Sequence, residues 1–128
     1  MFNITYENIR NITIVRFSGD LISDNIELLE HNFLLEDQVI SDCIFDLRKL
    51  DMIDSTGLSY IINCLKKSIQ NNTEIKLLHL YNQPKIIFEI TRVDTLFRLY
   101  DNEVEALNSF INMEQKNESN HTNFQQTA

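Results

Sequence analysis

The sequence predicts an α/β fold: a mixed central β-sheet with helices packed on it, in the order β-β-α-β-α-β-α-β-α. Three observations lead there. Two segments that alternate apolar and polar residues stand side by side near the N-terminus, as the strands of a hairpin do. After them, stretches with helical spacing and short apolar runs of strand length take turns. The 128 residues, 43% of them hydrophobic, suffice for one domain around one core. An antiparallel opening pair followed by strand–helix alternation gives a sheet with both kinds of pairing.

The elements follow in order. "FNITY" (2–6) and "ITIVRFS" (12–18) alternate, the second rich in branched residues, with "ENIRN" between them as a hairpin loop and Gly19-Asp20 as the break after them. "SDN" (23–25) offers helix caps, followed by Ile26, Leu29, Phe33 and Leu34 at helical spacing. "DCIFDL" (42–47) suits a central strand covered on both faces. From Thr56 to Gln70, Leu58, Ile61, Ile62, Leu65 and Ile69 form one stripe with Lys66 and Lys67 off it, and "NNT" ends that helix. "EIKLLHL" (74–80) is a strand. "NQP" (82–84) restarts a helix, with Pro84 in the first turn, where its missing N–H is harmless. "LFRLY" (96–100) is the last strand, and "NEVEALNSFI" the last helix, with Val104, Leu107, Phe110 and Ile111 inward. The domain spans residues 1–112. Residues 113–128 form a polar tail with too little apolar surface to offset the entropy of ordering it.

A net charge of −8 argues against nucleic acid as a partner, because phosphate backbones are held by clustered Lys and Arg, and Lys66-Lys67 is too small a cluster. The same charge keeps a small protein dispersed, and a monomer is expected. No run approaches the roughly 20 apolar residues of a membrane span, and "MFNITYENIR" has no secretory pattern, so a cytoplasmic protein without direct membrane insertion is expected. Cys43 and Cys64 lie in apolar runs and read as buried thiols. The Asn-x-Ser/Thr sequons at Asn3, Asn11, Asn71, Asn117 and Asn120 are compositional in so Asn-rich a chain.

Catalytic constellations are missing. His31, His79 and His121 stand apart from one another and from cysteines or carboxylates at metal-ligand spacing. Gly19 and Gly57, the only glycines, exclude a phosphate-cradling G-x-G-x-x-G or P-loop. No G-x-S-x-G elbow exists, and an extra residue between Asp54 and Gly57 spoils an aspartic-protease signature. No cofactor, no metal and no enzymatic activity are expected.

The remaining candidate is "DMIDSTGLSY" (51–60), where Asp54-Ser55-Thr56-Gly57 interrupts an apolar context. Structurally, Asp54 or Ser55 caps the helix beginning near Thr56, and Gly57 permits a close approach. Functionally, a serine at a helix N-terminus is a good seat for phosphate, since the free N–H groups and the dipole tolerate an added charge of roughly −1.5 to −2. The two readings are compatible.

"IFDLRKLDMIDSTGLSYII" (44–62) resembles the signature of the STAS domain family, which includes the anti-sigma factor antagonists. The match runs through Asp46-Leu47, Leu50 and Ile53 to Leu58. "VRFSGDL" (15–21) resembles the family's strand ending in G-E-L-D, and "IFEITRVDTLFRLYDNEVEAL" (87–107) its closing helix, strand and helix. The resemblance implies a STAS-like domain that binds an anti-sigma factor, itself a serine kinase of the GHKL type, and so frees a sigma factor. That kinase would phosphorylate Ser55, and a PP2C-type phosphatase would reverse it. The chain would be a substrate and not a catalyst. Partner contact would fall on Asp54, Ser55, Thr56 and Gly57, with Thr56 as a cap rather than the acceptor. The family often places an Asp where this chain has Ile22; Asp24 either stands in for it against the kinase or is simply a cap. The alternatives are a STAS scaffold subunit of a membrane lipid-transport ABC complex and, last, a nucleotide-binding or sensory STAS module.

Overall fold

In the computed structural model, which describes residues 2–32 and 41–110, the hairpin pairs β1 (Asn3–Ile9) with β2 (Ile12–Leu21), from Asn3 opposite Ser18 to Ile9 opposite Ile12. Only Arg10 and Asn11 separate the strands. Both have positive φ, 53° and 68°, as in the two-residue turn whose twist matches a hairpin. The expected loop over 7–11 is thus mostly strand. β1 is an edge strand with largely exposed side chains, so its polar residues look like loop in the sequence.

Gly19-Asp20 does not end β2 either. The strand runs on to Leu21, with register shifts against its parallel neighbour at Arg16–Ser18 and Gly19–Asp20. Gly19, at φ 90°, takes a bulge conformation that only glycine adopts readily, so the ladder absorbs the irregularity.

The chain continues through α1 (Ser23–Asn32), β3 (Asp42–Ile53), α2 (Ser55–Gln70), β4 (Ile75–Leu78), α3 (Asn82–Ile90), a 3-10 turn (Val93–Leu96), β5 (Arg98–Tyr100) and α4 (103–110). Among the described residues five strands lie in the order β1-β2-β3-β4-β5. The first pair is antiparallel and the other three are parallel. This is the mixed sheet and the strand–helix order expected, with the 3-10 turn added.

Helices cover the sheet unequally. One face carries Val15, Phe17, Phe45, Leu47 and Leu77 against Ile26 of α1, Leu58, Ile61 and Cys64 of α2, and Phe88 of α3. The opposite face carries Ile12, Ile14, Ile44 and Leu78 beneath Ala106 and Phe110 of α4. Each fully buried Phe or Ile contributes about 1.5–3 kcal/mol by leaving water. Both cysteines are buried and neither is in a disulfide, and burial pushes the Cys43 thiol up to about 12.

The buried stripe of α2 differs from expectation near its end. Cys64 and Ser68 are buried, whereas Ile69 is 63% exposed. Ser68 turns inward because its hydroxyl meets that of Thr73 at 2.8 Å and its carbonyl accepts the Thr73 N–H. In α4, Ala106 is buried and Val104 is exposed. Phe33, Leu34, Ile111 and the tail 113–128 lie outside the described residues, as do the side chains of Leu29 and His31.

Candidate functional site

β3 is twelve residues long but β4 only four, and their pairing ends at Asp46 opposite Leu78. The rest of β3 keeps β2 as its neighbour, out to Leu21 opposite Ile53. β3 therefore projects past the sheet on one side and hands the chain to α2 at its tip. Asp54 makes that handover. Its backbone is extended (φ −106°, ψ −176°), and its Oδ1 accepts the Gly57 N–H at 2.8 Å, which makes it the N-cap. Of the two caps proposed, Asp54 is the one used. Ser55 is the first helical residue and Thr56 the second, so Thr56 is not the cap that the resemblance implied: Asp54 holds the cap position and takes the Gly57 N–H.

Asp54 has a second duty. Its Oδ2 accepts the Ser23 N–H at 2.9 Å, and its own N–H reaches the Leu21 carbonyl at 3.3 Å. One carboxylate thus joins the start of α1 to the start of α2. Burial alone would raise the Asp54 carboxyl; the backbone N–H groups of Gly57, Ser23 and Thr56 outweigh it and hold the group below the usual carboxylate range.

Gly57 is required by the same crossing. A Cβ built there would lie 2.0 Å from the Leu21 carbonyl oxygen and 3.0 Å from Ile53. β2 and α2 pass too closely for any side chain.

Ser55 and Thr56 are exposed, while Gly57 is buried beneath them. No hydrogen bond engages the Ser55 hydroxyl among the described residues. Asp24 is exposed in the first turn of α1, next to the Ser23 that Asp54 holds. The fold therefore brings Asp24 and the 54–57 segment to neighbouring helix N-termini at one end of the sheet.

Gln83, from the first turn of α3, also holds the end of β3. Its Oε1 accepts the Ile53 N–H at 2.9 Å and its Nε2 donates to the Ile53 carbonyl at 3.0 Å. Nothing local marks it, because the contact spans thirty residues.

A cleft of about 480 Å³ lies elsewhere, lined by Arg16, Ser18, Asp46, Arg48 and their neighbours. Arg16 there is neutralised by Glu7, Asp46 and Glu103 at 2.7–2.8 Å. Among the described residues no group of His, Cys, Asp and Glu is arranged to hold a metal, and no helix is long and apolar enough to cross a membrane.

These features define an α/β domain that presents a capped helix N-terminus at the tip of a projecting strand. Residues 3–106 match the family model of the STAS domain, and the chain belongs to that family. Solved structures agree in fold. An anti-sigma factor antagonist from Mycobacterium paratuberculosis has a TM-score of 0.74 at 18% identity, over 85% of this chain and 93% of its own. The phosphorylated form of the Bacillus cell fate determinant SpoIIAA has 0.64 at 15% identity, over 86% and 99%. A sulfate transporter family protein from Wolinella succinogenes has 0.63 at 13% identity, over 80% and 87%. A comparison with curated protein sequences gave no match.

Proposed function

We propose that this chain is an anti-sigma factor antagonist whose hold on its partner is switched by phosphorylation at Ser55. The observation that carries the reading is the Ser55 hydroxyl. It is exposed and takes no hydrogen bond among the described residues, at the first position of a sixteen-residue helix capped by Asp54. SpoIIAA supports it: that antagonist is known both unphosphorylated and phosphorylated.

The partner is a GHKL-type anti-sigma factor kinase, which the unphosphorylated chain binds through Asp54, Ser55, Thr56, Gly57 and Asp24. In the transfer, the Ser55 oxygen attacks the terminal phosphorus of the kinase's ATP. The new O–P bond forms as the bond to ADP breaks, and the serine proton passes to a base on the kinase. Free N–H groups in the first turn of α2 receive part of the new charge, which the Asp54 carboxylate beside it opposes. The domain stays folded, but its docking surface gains a doubly charged group. Each 1.4 kcal/mol of desolvation and repulsion weakens binding about tenfold, so a few suffice for release. A PP2C-type phosphatase restores the serine.

The test is incubation with the cell's GHKL-type kinases and ATP, followed by site mapping by mass spectrometry. Phosphate on Ser55, lost in Ser55→Ala, supports the switch. An unmodified protein that co-purifies with an ABC ATPase supports the scaffold reading instead.

A further inference from the structure

We infer that Gln83 is a positioning residue for Ser55, fixing the end of β3 in the pose that a partner kinase engages. The inference rests on the switch reading above and adds to it a residue on a different element.

The geometry is that of a missing strand. Because β4 stops at Leu78, Ile53 has no strand neighbour on that side among the described residues. On the other side the Leu21 carbonyl takes the N–H of Asp54 rather than of Ile53. In a parallel ladder the N–H and C=O of one residue point the same way, so those of Ile53 point away from β2. Gln83 meets both at once, at 2.9 and 3.0 Å. Its carboxamide turns one N–H and its oxygen to the same side, as a residue's own peptide groups are turned, and substitutes for one residue of strand.

Ile53 is 2% exposed. Without Gln83, two buried backbone groups would lose their partners, and strand ends relax to avoid that. The next residue is the cap that sets α2, and the one after is Ser55. Gln83 itself occupies the first turn of α3, held by Tyr81 and Pro84 in the chain and by Phe88 in the core. α3 is thereby bolted to the end of β3, one residue before the Asp54 cap, and a shift of either one is felt by the other.

A packing role and a positioning role make different predictions. Gln83→Met keeps length and apolar bulk but neither hydrogen bond. Gln83→Glu keeps the acceptor for the Ile53 N–H and loses the donor to its carbonyl. Steady-state phosphorylation of the full chain by its kinase, with urea denaturation and amide exchange at Ile53 alongside, separates the roles. In Gln83→Met, KM is expected to rise roughly fivefold or more, the size set by losing two ordinary hydrogen bonds of preorganisation. kcat changes less than twofold, and the Ile53 amide exchanges faster. Ala106→Gly, in α4 on the opposite face, lowers stability without touching the loop and should keep the wild-type KM. A wild-type KM in Gln83→Met overturns the inference, and so does an equal rise in Ala106→Gly. If Gln83→Met does not fold, Gln83→Glu is read by the same criteria. A wild-type chain that no kinase modifies at Ser55 sinks the switch and this inference together, and that result is distinguishable because it appears before any substitution.

Discussion

The Ser23 N–H donates to Asp54 Oδ2 at 2.9 Å while the Gly57 N–H donates to Oδ1 of the same carboxylate at 2.8 Å. One side chain therefore closes the start of α1 and caps the start of α2. Asp54→Ala removes both bonds and should lower unfolding free energy by about 1–2 kcal/mol, the range of a lost N-cap. Urea denaturation with an unchanged slope would show this; a loss below about 0.5 kcal/mol would mean that water replaces the carboxylate without penalty.

The same carboxylate has a pH signature. Its folded pKa lies below the ordinary value because the N–H donors outweigh burial. The folded state then binds the proton more weakly than the unfolded chain, so the stabilisation is complete above the unfolded value of about 3.9 and fades as pH falls through the folded one. The stability gap between wild type and Asp54→Ala should narrow below about pH 4. A gap independent of pH from 7 to 3 would contradict it.

Ser55→Ala should leave stability within about 0.5 kcal/mol of wild type, because an exposed hydroxyl with no partner among the described residues removes nothing when deleted. Thermal denaturation checks this. Any lost phosphorylation in that variant is then chemical and not a folding defect.

Gly57→Ala should be far more harmful. The new methyl meets the Leu21 backbone first, which cannot move aside as the end of a flexible side chain can. The expected loss is about 3 kcal/mol, at the upper end for overpacking. Wild-type stability in this variant would mean that β2 and α2 can separate freely.

Lys76 is fully buried on β4, with Nζ 2.5 Å from the Ser109 hydroxyl and 3.9 Å from the Phe110 ring centroid. Burial draws its pKa below the ordinary value against the pull of Glu74. The folded state holds this proton more weakly than the unfolded chain. The resulting penalty is full below the folded value and is relieved as pH rises toward about 10.4. Lys76→Met should be as stable as wild type or more so at pH 7, since apolar replacements of buried charges often are. Its advantage should shrink by pH 10. Denaturation at both values tests the sign.

Periodicity carried most of the fold into view. Strand–helix alternation located every described strand, and Asp54 three residues ahead of Gly57 was legible as a cap. Local pattern misleads where long-range geometry overrides it. Gly19-Asp20 looks like a stop, yet a bulge carries the ladder across it. "RKLDMI" looks too polar for strand because much of the overhanging part of β3 is exposed. Leu96 looked like strand but sits 54% exposed in a 3-10 turn. Gln83 was invisible because an amide that completes a ladder thirty residues away has no local signature.

The overhang of β3 bears on how the molecule behaves in a crowd. A strand that extends beyond its neighbour offers bare peptide groups to any passing chain, the usual seed of sheet-to-sheet sticking. Here the last residue of that strand is sealed by the Gln83 amide, and Arg48, Lys49 and Asp51 stand exposed along its length. The tip that displays Ser55 is thus kept from recruiting strands of its own kind, and what approaches it must do so by side-chain recognition.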